Sequence, residues 1–344
     1  MKPSFNNYFR LTFVCLVLSL VHGCASLDKS EVSTAAKPHQ TEAKPPVVVK
    51  EKKTEPPRQA APAPGYIRKN AVIVLSGEAP AYLDIAEQIN SYLDDPVKVF
   101  VLSGDELLDK AILDQLEQSK SPQMIAVGLR AARALKGWDD RQIVFCQVVN
   151  HADHDLVSAN MKGVGALPAP EKLFADWRQL SPQLKQVLVV TGTGFDGYMQ
   201  RARTAASKHR IKLVHQIVST DREFLYAVKR DASPTQGHWI LADNRILSVK
   251  AMAEAITFNT REAIQTVVFS PELLQYGGLF YVTPSKREVS HKVLDRFMQS
   301  GSKREISGED IVFLDSHEMG INRQVARQLG LKIPPQLQVQ TNDN

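Results

Sequence analysis

Short apolar runs that alternate with amphipathic helical segments, and then begin again, constrain this chain more than any other feature. Residues 71–75 read as a strand, and Tyr82, Ile85, Ala86, Ile89 and Leu93 recur at helical spacing before a second strand over 97–102. A helix over 106–116, a strand over 124–127, a helix over 130–136 and a strand over 142–149 follow. Strands separated by helices return through crossovers, so they predict a parallel, doubly wound lobe. The cycle then restarts, with strands over 187–191, 211–218, 238–241 and 266–269 and helices over 198–208, 222–229 and 249–256. Two α/β lobes in tandem imply a cleft, and in open α/β sheets ligands gather beyond the carboxyl ends of the strands.

The N-terminus is of a different kind. Lys2 and Arg10 precede an apolar run over 11–21 that is too short to span a bilayer comfortably, and Gly23 sits before Cys24. Leu20-Val21-His22-Gly23-Cys24 resembles the lipobox of a bacterial lipoprotein signal. That resemblance implies cleavage after residue 23, with Cys24 the new N-terminus, acylated on its sulfur and its amine as a palmitate-type membrane anchor. An ordinary secretory signal or a short membrane anchor is the other reading, and it too puts the rest of the chain outside the cytoplasm. In two-membraned bacteria the next residue resembles a sorting code, Asp retaining a lipoprotein at the inner membrane. Ala25 therefore favours the outer membrane, with the chain facing the periplasm. Residues 25–65 hold 7 of the 19 prolines, a Lys-Glu-Lys-Lys run and few large apolar side chains. They cannot bury enough surface to offset their ordering entropy, so a disordered linker is expected. At about 3.1 Å per residue in extended polyproline form, it would reach on the order of 100 Å.

The formal charge is +5 and the sequence pI about 9.0. After residue 65, however, 33 basic residues face 32 acidic ones. A nearly neutral folded region without a basic, aromatic-laced stripe excludes nucleic acid as an expected partner. Of the 3 cysteines, Cys15 leaves with the signal, Cys24 carries lipid, and Cys146 ends the apolar stretch Ile143-Val144-Phe145-Cys146. No intramolecular disulfide is expected, and Cys146 reads as a buried strand residue.

Several segments, in order, resemble one family. Met124-Ile125-Ala126-Val127-Gly128 leading into Ala131-Ala132-Arg133-Ala134-Leu135, then Asn160-Met161-Lys162-Gly163-Val164, Leu180-Ser181-Pro182 and Tyr276-Gly277-Gly278-Leu279 are similar to its landmarks. So is the closing run from Gly320-Ile321-Asn322-Arg323 through Gly330-Leu331-Lys332-Ile333-Pro334. The family is that of the ABC-type uncharacterised substrate-binding proteins, which includes tryptophan and tyrosine transporter binding components. The resemblance covers most of 70–335 and implies a type 1 periplasmic-binding-protein fold, in which two Rossmann-like lobes with parallel sheets close on a small ligand. The expected division is a signal peptide over 1–23, lipidated Cys24 and linker over 24–65, a first lobe over 66–165 and a second over 166–275. Crossing segments and returning helices occupy 276–335, and a disordered tail occupies 336–344. Monomer is the default for this architecture, and no cofactor or metal is expected.

Polar groups at strand ends are the candidate ligand contacts: Ser76, Gly77 and Gly128 in the first lobe, and Thr191, Gly192, Thr193, Gly194, Asp243, Asn244 and Ser270 in the second. The 191–194 run leaves a strand and opens a helix, where backbone N–H groups attract anions; a plain tight turn is its other reading. The family follows the glycine at 128 with a hydroxyl residue and proline, whereas this chain has Leu129-Arg130. Arg130 either replaces the lost hydroxyl with a charge-assisted contact or stands as a solvated helix residue. Asp243-Asn244 equally reads as a helix cap or turn. His151-Ala152-Asp153-His154-Asp155 has metal-ligand chemistry, but its side chains diverge on one loop, and a polar loop at the cleft edge is the default. No Ser/His/Asp or Cys/His arrangement has a local signature, so a binding protein is expected rather than an enzyme. Two functions remain: the solute receptor of an ABC importer, meeting a permease and capturing an amino-acid-like or anionic solute, or a non-transport outer-membrane lipoprotein that uses the same fold to bind an envelope protein.

Overall fold

The computed structural model describes residues 71–298 and 304–342. The signal segment, Cys24 and the linker to residue 65 lie outside the described residues. The chain then runs through β1 (Val72–Leu75), α1 (Pro80–Asn90), β2 (Lys98–Val101), α2 (Glu106–Ser119), β3 (Gln123–Val127), α3 (Leu129–Leu135) and β4 (Gln142–Cys146), in the expected order. One strand more, β5 (Met161–Val164), continues this sheet before the chain crosses to α4 (Pro170–Leu180) of the second lobe. There the cycle is β6 (Gln186–Thr191), α5 (Asp196–Lys208), β7 (Lys212–Ile217), α6 (Asp221–Arg230), β8 (Gly237–Trp239), α7 (Val249–Arg261), β9 (Gln265–Val268) and β10 (Phe280–Pro284).

The C-terminal part divides between the lobes. After β10 the chain returns to the first lobe for α8 (Lys286–Met298), which packs on α1, and for β11 (Ile311–Val312), which pairs with β5. It crosses a third time to β12 (His317–Asn322), antiparallel to β10, and α9 (Arg323–Gln328). The tail expected from residue 336 does not begin there. A 3-10 turn over Pro335–Gln340 buries Leu337, and β13 (Thr341–Asn342) pairs with β12. The sheets have the orders β11-β5-β4-β3-β1-β2 and β13-β12-β10-β9-β8-β6-β7, parallel throughout except for the β10–β12 pair.

Each sheet is covered on both faces, which is why its strands read as continuous apolar runs. Ile73, Leu75, Ile125 and Val127 face α1 and the Val289, Val293 and Phe297 side of α8. Their neighbours Val72, Val74, Met124 and Ala126 face Leu116 of α2 and Ala131, Ala132 and Leu135 of α3. Cys146 is the last residue of β4 and fully buried; burial alone pushes its thiol up to about 12. In the second lobe, Val187, Val189 and Trp239 pack against Phe174 and Trp177 of α4, while Leu188, Val190 and Ile240 pack against α6 and α7. Side-chain caps fix several helix starts: Asp105 for α2, Thr220 for α6, Ser248 for α7 and Asn322 for α9.

Candidate functional site

The carboxyl ends of both sheets meet at a cavity of about 340 Å³ between the lobes. The first lobe supplies Tyr82, Leu129 and the segment 147–150 that follows β4. The second supplies 242–245 after β8, Leu247 and Met252 beside them, and Phe269 after β9. Gln147, at the point where β4 ends, takes a left-handed φ of 57°, an uncommon conformation for a side-chain-bearing residue that turns the chain along the cavity wall. A second cavity of about 210 Å³ shares Val148 and Val149 and lies toward the crossing segments, lined there by 165–167 and Phe313.

Arg245 organises the floor. Its Nε and Nη2 each lie 2.8 Å from a carboxylate oxygen of Asp243, and Nη2 also donates to the Thr193 carbonyl at 2.8 Å. Asp243, almost fully buried, also accepts from the Gly192 amide at 2.9 Å. Burial pushes the Asp243 carboxyl upward, but the hydrogen bonds from Arg245 and Gly192 and the guanidinium charge outweigh it and hold the group below the usual carboxylate range. Arg245 Nη1 then reaches the other lobe and meets Asp153 Oδ2 at 2.7 Å.

The expected contacts fall into two groups. Asp243 and Asn244 line the larger cavity, and Gly194 the smaller one. Gly192 and Thr193 stand beside Arg245, joined to it or to Asp243 by the bonds above. The others are engaged inside the chain. Thr191 is fully buried, donates to the Gly192 carbonyl and pairs with His215 Nε2 at 2.7 Å. Ser76 Oγ accepts from the Ala131 amide at 2.9 Å and so satisfies an orphan donor at the start of α3. Gly128 precedes that helix with φ 87°, and a Cβ there would lie 2.6 Å from Ser76 Oγ, so glycine is required for both conformation and space. Gly77 is half-buried, and a Cβ there would touch the Leu102 carbonyl at 4.0 Å. Arg130 donates to the Ser76 carbonyl at 3.2 Å and packs against Gly104, outside the cavity lining. Ser270 donates to the Glu272 carboxylate.

The 151–155 loop also has a definite arrangement. Residues His151–His154 form a 3-10 turn in which Asp153 is given to Arg245, Asn150 contacts His154 at 3.1 Å, and Lys136 donates to the His154 carbonyl. Among the described residues no group of three His, Cys, Asp or Glu side chains could hold a metal ion. Arg245 and the role of Asp153 were not legible as site residues. The available signal was position alone, one following Asp243-Asn244 after β8 and the other following β4.

No protein-family model matches the chain, and no curated protein matches it. Solved structures do. A substrate-binding protein with adhesive properties from Clostridium difficile, in its ligand-free, open form, aligns with a TM-score of 0.60 at 15% identity, covering 80% of this chain and 100% of that one. The ABC domain from Streptococcus pneumoniae in complex with L-Trp aligns with a TM-score of 0.56 at 17% identity, covering 79% and 97%. A conserved domain protein from Vibrio cholerae gives 0.56 at 18% identity, covering 80% and 100%. The chain has the type 1 periplasmic-binding-protein fold.

Three crossing segments join the lobes. Here they are tied to one another and to α5. Tyr198 donates to the Pro168 carbonyl at 2.6 Å on the first crossing, and Arg201 donates to the Leu314 carbonyl at 3.0 Å on the third. Glu288, just past the second crossing, accepts from the Asp315 and Ser316 amides at 2.6 and 2.9 Å.

Proposed function

We propose that the chain is the substrate-binding lipoprotein of an ABC-type transport system, held in the periplasm by acylated Cys24, and that it captures a small solute by closure of its two lobes. The observation that carries this reading is the cavity of about 340 Å³ walled from both lobes by the residues just beyond the strand ends. A ligand touching both walls stabilises the closed arrangement by the difference between its affinities for the closed and open states. The role in this reading is binding rather than catalysis: Asp243, Arg245 and Asp153 are paired with one another in the cleft, and the Thr191 hydroxyl that faces His215 is fully buried, away from the cavity lining. A library of small solutes, scored by thermal shift and by small-angle scattering on the full chain, tests it. A hit raises the melting temperature and contracts the particle, and a library without any such hit argues against solute capture.

A second reading, an outer-membrane lipoprotein that binds an envelope protein, is favoured by Ala25 and by the apolar pair Leu107 and Leu108, which are 80% and 60% exposed at the start of α2. Crosslinking in cells separates the two. Capture of permease subunits supports import, and capture of a different envelope protein through α2 supports the alternative.

A further inference from the structure

The cleft already holds an anion of its own. Asp153 comes from the first lobe, yet its Oδ2 lies 2.7 Å from Arg245 Nη1 and 3.4 Å from Thr193 Oγ1 of the second. The carboxylate rests against Gly194, where a Cβ would come within 2.7 Å of Oδ1. This is the position beside the glycine-rich loop where a ligand anion would be expected to sit, and a side chain fills it.

Charge counting around that point has one sign. Arg245 faces two carboxylates, Asp153 and Asp243. The linings of both cavities add Asp196 and contain no other Lys or Arg. Burial lowers the His151 pKa against the opposing influence of Asp153, which favours the neutral ring at the smaller cavity. Arg130 is turned onto the Ser76 carbonyl and Gly104. A carboxylate or phosphate entering here would meet net negative charge and would have to displace Asp153 to reach a cation. The other walls are apolar or uncharged: Leu129, Val149, Met252 and Phe269 offer a surface for a hydrophobic body, and Gln147 and Asn244 bring side-chain amides.

We propose that the cleft selects an uncharged solute with an apolar body and amide or hydroxyl groups, and that Asp153 sets this preference by occupying the anion position on Arg245. The proposal rests on the reading of the cleft as a solute site, and it departs from the anionic or amino-acid-like solute expected from the sequence. Recognition of a neutral polar group by amides inside an apolar pocket discriminates strongly, because an ill-matched ligand leaves buried groups unpaired.

A paired panel tests it: carboxylic acids and their primary amides on the same apolar bodies, such as phenylpropionate with phenylpropionamide and indole-3-propionate with its amide. Binding is measured by calorimetry and thermal shift on the full chain, wild type and Asp153→Asn. Asp153 is partly exposed on a loop, and an unchanged circular dichroism melt confirms that the variant is folded. In the wild type the amides bind and their acids do not. In Asp153→Asn, Arg245 is released to a ligand and the acids gain about tenfold relative to their amides, the worth of one charge-assisted hydrogen bond, while the amides lose no more than the roughly fivefold that the missing contact between the lobes can cost. Acids that bind the wild type as tightly as their amides, with no gain in the variant, overturn the charge preference and leave solute binding standing. A panel in which neither acids nor amides bind either protein overturns solute binding, and the preference falls with it.

Discussion

Replacing Arg245 by Met strands a buried carboxylate. The Asp243 side chain is 3% exposed, and without the guanidinium it keeps only the backbone amides of Gly192 and residue 245, at 2.9 and 3.2 Å. Deleting one partner of a buried ion pair costs about 3–5 kcal/mol. Arg245 is itself 32% exposed and the two amides remain, so the expected loss is about 2–3 kcal/mol. At about 2–4 °C per kcal/mol for domains of comparable size, the melting temperature falls by roughly 4–12 °C. The pH dependence identifies the cause. In the wild type the folded-state pKa of Asp243 is depressed, so its contribution is present above the unfolded value of about 3.9 and is lost as pH falls through the folded value. In Arg245→Met burial dominates, the folded value rises, and the sign reverses. The deficit of the variant against the wild type is therefore largest near neutral pH and shrinks toward about pH 4. Urea denaturation of both proteins at these two pH values decides it. A neutral-pH loss below about 0.5 kcal/mol, the ordinary range of a surface substitution, or a deficit that does not shrink in acid, refutes the argument.

The remaining expectations concern the contact between the lobes and the buried core. Asp153→Ala removes a half-exposed pair worth about 0.2–1 kcal/mol, so the melting temperature hardly moves, but the ratio of molecules with the lobes together to those with them apart falls by up to about fivefold; scattering profiles identical to the wild type would show that the pair does not hold the lobes. Gly194→Ala forces a side chain onto φ 81° and into the Asp153 carboxylate, and is expected to destabilise by about 1–2 kcal/mol in a denaturant melt, whereas a neutral result would mean that the loop relaxes freely. His238 on β8 is buried, which lowers its pKa to about 3. Below about pH 6.5 the unfolded chain takes a proton that the folded ring refuses, so stability falls toward acid, by about 2 kcal/mol at pH 5. Ring proton shifts of His238 that titrate near neutrality would contradict this.

Much of the first nine strands was legible because parallel strands buried on both faces read as apolar runs, as in Val72–Leu75 and the centre of Gln186–Thr191. β5 was harder, since Met161–Val164 carries a lysine and a glycine, and pairing with β4 and β11 places it. The apolar spacing of Leu173, Phe174, Trp177 and Leu180 on α4 is helical, but no pattern states which lobe it covers. The same holds for α8, which follows a strand of the second sheet and packs on the first. Asp243 and Asn244, expected from the rule of strand ends, line the cavity, whereas Ser76 and Thr191 met the same rule and are bonded to α3 and to His215.

By itself the sequence determined the alternation, the pairing of two α/β lobes and the near-neutral charge of the folded region. These are local and compositional properties, read within windows of one element. The tertiary structure alone decided that the chain crosses between lobes three times, and that Asp153 meets an arginine 92 residues away in the cleft. That contact depends on where two sheets set their loops, and the backbone geometry of both lobes has to exist before either side chain has a partner.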